Sequence, residues 1–179
     1  IVRISRGTGA TFETLLAGKI ELNVVDGIIL PNLKMAGEEE GCGFLTREGR
    51  CSIHPFRPGI CRLFPLGRYY EENGFRYFLQ VHECQKENRT KVKVKKWLDT
   101  PNLKDYEAYI ARWHGLLIQL QEYIAAHPES AKAVSMDVLQ RFYLTPYQTE
   151  EFYSEFFRRM DEAKKYIIAA RQGTEVPHL

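Results

Sequence analysis

The sequence lacks the features that would assign it to a membrane, secreted or repeat class. Its 179 residues contain no run of 18 apolar residues, so no transmembrane helix is predicted. No signal peptide, internal repeat or low-complexity tract is visible. The formal net charge is only +2, which by itself predicts no polyanionic partner. We therefore expect a cytoplasmic globular protein that does not meet a membrane.

Cysteine is also scarce, and its placement is the most informative feature of the chain. The four cysteines lie in one central window with the spacing C-x8-C-x9-C-x22-C. This spacing lacks the C-x2-C knuckle of a zinc ribbon, and the chain is large for a disulfide scaffold. Disulfides and inert buried thiols stay as alternatives, but clustered thiols in a cytoplasmic protein favour a metal site. The predicted ligands are Cys42, Cys51, Cys61 and Cys84.

The pattern does not choose the metal, because four thiolates satisfy either one tetrahedral Zn²⁺ or the irons of a cubane iron–sulfur cluster. His54 follows a cysteine by three residues and is a further candidate ligand, with packing as the alternative. Arg57 and Arg62 are candidates for an anionic substrate or cofactor. They would also offset the negative charge of nearby thiolates and lower thiol pKa values, and a purely structural role is the alternative. No catalytic residue is predicted.

The order of patterns along the chain predicts an α+β fold dominated by helices. Residues 1–100 are expected to hold small β-hairpins and irregular cysteine-rich loops, and residues 101–179 a helical part packed on them. In the second part apolar residues recur at helical spacing, and aromatic residues crowd the last helix as core or as a homodimer face. The three helices are predicted over about 102–127, 130–143 and 149–171.

Local signals place the smaller elements. Asp26-Gly27 between two apolar runs predicts a two-residue hairpin, because a type I′ turn needs positive φ, and Asn73-Gly74 predicts a second hairpin. Residues 4–18 predict a turn followed by a short helix with Thr11 as its N-cap. Residues 91–98, in which lysine alternates with valine, predict a half-exposed strand.

The cysteine region resembles a known family. Residues 42–67, CGFLTREGRCSIHPFRPGICRLFPLG, and the later VHEC fit the pattern C-x-FL…G-x-C-x-I-[YH]-x-x-RP-x-x-CR-x-(F)P. This pattern is similar to that of the zinc- or iron-chelating cysteine-cluster proteins, also called CxxCxxCC or YkgJ-type proteins, over residues 1 to about 90. The matching positions are Cys42, Phe44, Leu45, Gly49, Cys51, Ile53, His54, Arg57, Pro58, Cys61, Arg62, Phe64 and Pro65.

The resemblance has one departure. The family is named after an N-terminal CxxCxxCC run that this sequence lacks, and the chain starts at Ile1 rather than at methionine. We expect that run to lie upstream and the site in this chain to be incomplete. A cysteine cluster of this type also occurs in a flagellin lysine methyltransferase, where an iron–sulfur centre is implied. An iron–sulfur-dependent, methyltransferase-like enzyme is therefore a second hypothesis, although no nucleotide-binding glycine fingerprint is present.

A third hypothesis comes from the basic segment KENRTKVKVKK, residues 86–96. Six of its eleven residues are basic, a composition that could follow a phosphate backbone. Its alternation with valines is better explained as the solvated face of an edge strand, where lysines also block aggregation. We therefore do not expect nucleic acid as a partner and keep a metal ion as the predicted one.

Overall fold

The protein has the helix-dominated α+β architecture that the sequence predicts. A computed structural model describes residues 1–37, 41–72, 74–84, 87, 90–148 and 151–172. The chain divides into two compact units, one made of Ile1–Phe56 with Trp113–Leu179 and the other of Arg57–Arg112. A division near residue 100 stays a prediction.

The first unit begins with two short helices, α1 (Val2–Thr8) and α2 (Phe12–Leu16). Thr11 caps α2 as predicted, and its hydroxyl accepts a hydrogen bond from the amide of Thr14 at 3.2 Å. Of the residues predicted as a turn before it, 4–8 instead belong to α1, which Gly9 ends with a φ of 73°. Ile4 is fully buried there, and burial of an apolar face stabilises a short helix whose local propensity alone would not.

The first predicted hairpin is present as β1 (Ile20–Val25) and β2 (Ile28–Leu33). Asp26 and Gly27 form its turn with φ values of 48° and 84°, the positive values that a type I′ turn requires. The hairpin is an isolated two-stranded sheet among the described residues. Ser135 ties it to a later helix, since its hydroxyl accepts from the Ile29 amide at 3.2 Å.

A second pair of strands, β3 (Met35–Ala36) and β4 (Gly41–Cys42), follows the hairpin. The acidic residues 38–40 between them lie outside the described part of the chain. An isolated bridge then pairs Leu45 with Cys51, and a 3₁₀ turn covers His54–Phe56. These segments pack on one buried apolar cluster, which consists of Ile4, Leu15, Ile20, Phe44 and Ile53.

The C-terminal helices complete the first unit. The structure confirms the long helix as α5 (Leu103–Ala126), of which the part from Trp113 onward belongs to this unit. After a 3₁₀ turn come α6 (Ala131–Leu139) and a π-helical turn, Gln140–Leu144. The predicted third helix is present as two, α7 (Phe152–Ala163) and α8 (Lys165–Gln172), because a ψ of −11° at Lys164 tightens the turn between them.

Aromatic side chains fill the space between these helices. The Trp113 ring meets Phe142 edge-on at 4.8 Å and Phe156 at 5.4 Å between ring centroids. Phe142 and Phe156 are buried. Of the two roles that the sequence allows for the aromatic residues of the last helices, these contacts show packing within the unit, and a homodimer through the same helices stays a prediction.

The second unit contains α3 (Gly59–Leu63), the predicted hairpin β5 (Leu66–Glu71) and β6 (Gly74–Leu79), α4 (Val94–Leu98) and the first turns of α5. Strand β6 begins at Gly74, paired with Glu71, and Asn73 of the predicted turn lies outside the described residues. The peptide bond between Phe64 and Pro65 is cis.

The strand predicted over residues 91–98 is wrong, because its second half is helix α4. No strand of the described residues lies beside this segment, and an isolated strand leaves its amides and carbonyls unpaired. The helix instead buries Leu98, which is 1% exposed, and Trp97 Nε1 donates to the Phe64 carbonyl at 3.0 Å. The alternation of lysine and valine in this segment therefore does not correspond to the two faces of a strand.

Candidate metal centre

Two of the predicted ligands, Cys42 and Cys51, belong to the first unit. Cys42 ends β4, and Cys51 forms the bridge with Leu45, whose amide donates to the Cys42 carbonyl at 2.9 Å. Both cysteines are half-buried and pack against the same apolar cluster. Ser52 fastens this loop, because its amide and its hydroxyl each donate to the Phe44 carbonyl at 2.8 Å. Main-chain hydrogen bonds thus hold the two thiols on a short, fixed loop.

The other two, Cys61 and Cys84, belong to the second unit. Cys61 lies inside α3, with its amide donating to the Pro58 carbonyl at 3.0 Å. Cys84 follows β6 and directly precedes residues that the structure does not describe. Both are half-buried. A helix and the end of a hairpin therefore carry the thiols of this unit.

The donor chemistry of these residues suits zinc or iron. None of the four cysteines forms a disulfide, and thiolate is the ligand that zinc sites and iron–sulfur clusters share. Among the described residues, however, no group of three or more histidine, cysteine, aspartate or glutamate side chains is gathered to hold a metal ion. The four-cysteine ligand set therefore stays a prediction.

His54, the further candidate ligand, is exposed at the start of the 3₁₀ turn. Its amide donates to the Cys51 carbonyl at 3.3 Å, so the main chain ties the histidine to a candidate ligand. This contact fixes the position of its backbone. A role for the imidazole as a ligand stays a prediction.

The two arginines predicted near the thiols differ in their surroundings. Arg57 is half-buried, and its Nε is buried without a hydrogen-bond partner among the described residues. Arg62 is 7% exposed, and its Nη1 donates to the Asp99 main-chain carbonyl at 2.7 Å. The Arg62 contact is structural, whereas binding of an anionic cofactor by either arginine stays a prediction.

The sequence did not single out a polar group in the second unit, formed by Arg68, Tyr77 and Tyr106. Arg68 Nη2 donates to the Tyr106 hydroxyl at 2.7 Å, and Arg68 pairs with Tyr77 across the hairpin. Burial, followed by the negative charge of Glu107, raises the pKa of Tyr77. Strand alternation predicts that Arg68 and Tyr70 share one face of the hairpin. It does not predict the contact between Arg68 and Tyr106, because these two residues lie 38 positions apart in the sequence.

The fold and its chemistry define a class, a small α+β protein with four half-buried cysteines, none in a disulfide, carried by loops and short elements. Residues 11–97, nearly half of the chain and including all four cysteines, match the family model CxxCxxCC, described as a "putative zinc- or iron-chelating domain". This match agrees with the family resemblance that the cysteine region predicts. No curated protein and no solved structure gives a significant match. No helix in the described part of the chain is long and apolar enough to cross a membrane.

Proposed function

We propose that this protein binds zinc or iron through thiolates supplied by Cys42, Cys51, Cys61 and Cys84. The observation that carries the proposal is that none of the four cysteines forms a disulfide and that all four fall inside the residues matched to a metal-chelating family. Half-burial favours this role, because a thiol with partial access to solvent admits a metal ion and then shields it. A reducing cytoplasm would keep such thiols free, and we extend the proposal to that compartment.

The two metals make different demands on the same ligands. Zinc completes a four-thiolate tetrahedron and supplies structural stability, whereas an iron–sulfur centre supplies electron transfer. A zinc protein is colourless, and an iron–sulfur protein absorbs visible light. The hypothesis of an iron–sulfur-dependent enzyme therefore requires, first of all, that the metal-loaded protein absorbs visible light.

The experiment loads the purified, reduced chain anaerobically with Zn²⁺, or with Fe²⁺ and sulfide, and measures bound metal, free thiols and visible absorption. We expect about one site per chain and protection of the thiols from alkylation. Each single Cys→Ser variant should weaken metal binding by at least about tenfold, because one of the four metal ligands is lost. Full metal content in the variant with all four cysteines replaced would overturn the proposal.

His54 can be tested separately with a matched control. His54→Gln removes the imidazole of a residue whose amide bonds to the Cys51 carbonyl, and His127→Gln removes one that lies 3.6 Å from Glu129, outside the matched residues. A ligand role predicts weaker metal binding for His54→Gln alone. Equal affinity of the two variants would leave the four thiolates as the whole ligand set.

A further inference from the structure

Strand β1 presents an edge with which no described strand pairs. It forms a two-stranded sheet with β2, and in a two-residue hairpin the pair that flanks the turn is hydrogen-bonded. Val25 and Ile28 are that pair. The amide and carbonyl of Val25, and those of every second residue before it in β1, therefore point toward β2. The amides and carbonyls of Leu22 and Val24 therefore point away from the hairpin.

The side chains at this edge are apolar and exposed. Leu22 is 42% exposed and Val24 is 71% exposed, and alternation puts both on the same face of the hairpin. Their cross-strand partners on that face are Pro31 and Ile29, both half-buried. The result is a continuous apolar strip beside a row of unpaired main-chain groups.

The edge also lacks the devices that usually prevent strands from pairing. Strand β1 reads IELNVV, with neither lysine nor proline, and its register with β2 is continuous over six residues without a bulge. The other strand is protected, because β2 carries Pro31 and Ser135 of α6 binds its Ile29 amide. Of the two edges of this hairpin, the outer edge of β1 is the one left as a template for another strand.

We propose that β1 pairs antiparallel with β1 of a second copy of this chain, giving a four-stranded sheet across a twofold axis. In this register the outward-pointing amides and carbonyls of the two β1 strands bond to each other. Leu22 of each copy then lies opposite Val24 of the other, and the two Asn23 residues face each other on the twofold axis. Two apolar cross-strand pairs and one amide pair then meet.

The charges around the strand fit this partner. Lys19 precedes β1 and Asp26 follows it, and both are exposed. In this register Lys19 lies opposite Gly27 and Asp26 opposite Ile20 of the other copy, and Glu21, the one charge within the strand, lies opposite Val25. A second copy therefore brings no like charges together across the strands, and a twofold interface closes without forming a fibre.

The first test measures mass by analytical ultracentrifugation over a wide range of concentration, with a chelator present to exclude dimers bridged by metal. We expect a monomer–dimer equilibrium for the natural chain. Val24→Lys should weaken dimerisation by about tenfold or more, because it sets a lysine charge against the apolar Leu22 of the other copy, twice. Val81→Lys is the matched control, since Val81 is 60% exposed and lies in the other unit.

The second test reads the register directly. Asn23→Cys places a thiol on the twofold axis at a non-hydrogen-bonded pair, where facing Cα atoms are about 4.5 Å apart and a disulfide can form. Mild oxidation followed by peptide mapping should recover the 23–23 cross-link, whereas Glu21→Cys should give none to itself. A monomer at every concentration, equal dimerisation of Val24→Lys and Val81→Lys, or equal cross-linking of the two cysteine variants would each overturn the proposal.

Discussion

Buried Arg62 donates a hydrogen bond to the main-chain carbonyl of Asp99, with 2.7 Å between Nη1 and that oxygen. The carboxylate of Asp99 is also near, at 3.3 Å, but its side chain is 82% exposed whereas that of Arg62 is 6% exposed. Solvent screens the exposed charge, so the main-chain contact is the more important of the two. It joins α3, which carries Cys61, to the end of α4.

Substitutions of these two residues should therefore have unequal effects. Arg62→Met leaves the Asp99 carbonyl without its donor, and we expect a loss of about 1–3 kcal/mol in the free energy of unfolding. Asp99→Asn keeps that carbonyl and tolerates the φ of 45°, so its cost should stay below about 1 kcal/mol. Urea denaturation of the metal-free proteins measures both. Equal losses would show that the carboxylate, and not the main chain, holds Arg62.

The glycine at the start of α3 makes room for a tyrosine. A Cβ on Gly59 would lie 2.1 Å from the Tyr106 hydroxyl, which accepts a hydrogen bond from Arg68. Gly59→Ala should therefore lower the free energy of unfolding by about 1–3 kcal/mol, since that ring is buried and cannot move aside freely.

The same substitution has a control within α5. A Cβ on Gly115 meets nothing within 4 Å, so Gly115→Ala should stabilise the protein by about 0.5–1 kcal/mol through helix propensity. Thermal denaturation should give shifts of opposite sign for the two variants. A neutral or stabilising Gly59→Ala would mean that Tyr106 does not occupy this position.

Patterns that depend on neighbouring residues could be predicted from the sequence. The turn at Asp26-Gly27 was found because positive φ selects those residue types, and α5 because its apolar residues repeat every three to four positions. The helix over residues 2–8 was missed, since it depends on burial of Ile4 against residues far along the chain. The strand predicted over residues 91–98 is wrong because it also depends on distant residues: a strand needs a partner strand, and the described residues provide none.

The candidate site shows the same limit. Clustering and family pattern identify the four cysteines, because these are properties of residue type and spacing. Contacts such as that of Arg62 with Asp99, 37 residues apart, follow from packing that no local pattern encodes. The sequence therefore names candidate ligands, but the arrangement of their surroundings required the structure.

Arg159 is a buried cation that closes the turn between α6 and α7. Its guanidinium pairs with Glu155, which is also buried, and donates to the carbonyls of Thr145 and Pro146, each at 2.8 Å. It also lies 3.9 Å from the centroid of the Tyr147 ring. The planar fork of arginine serves several acceptors at once, which a lysine ammonium does not do in the same place.

Arg159→Lys should therefore cost about 2–4 kcal/mol in the free energy of unfolding, although the charge is kept. Arg158→Lys is the matched control, because Arg158 is exposed and pairs only at the surface with Glu162, so its cost should be below about 0.5 kcal/mol. Guanidinium chloride titrations of both variants measure the difference. Similar midpoints would show that the buried hydrogen bonds of Arg159 contribute little.

His114 makes the stability of the chain depend on pH. Partial burial in α5 lowers the pKa of its imidazole, because the charged form loses hydration, whereas the unfolded chain keeps the ordinary value of about 6.5. Between those two pKa values the unfolded state binds more protons, so stability is complete above about pH 6.5 and falls as the pH drops below it. His114→Gln should flatten this part of the curve of unfolding free energy against pH, measured by urea denaturation. An NMR titration of the His114 ring in the folded protein should give a midpoint below about 6.5. A midpoint above that value, or an unchanged slope in His114→Gln, would contradict the prediction.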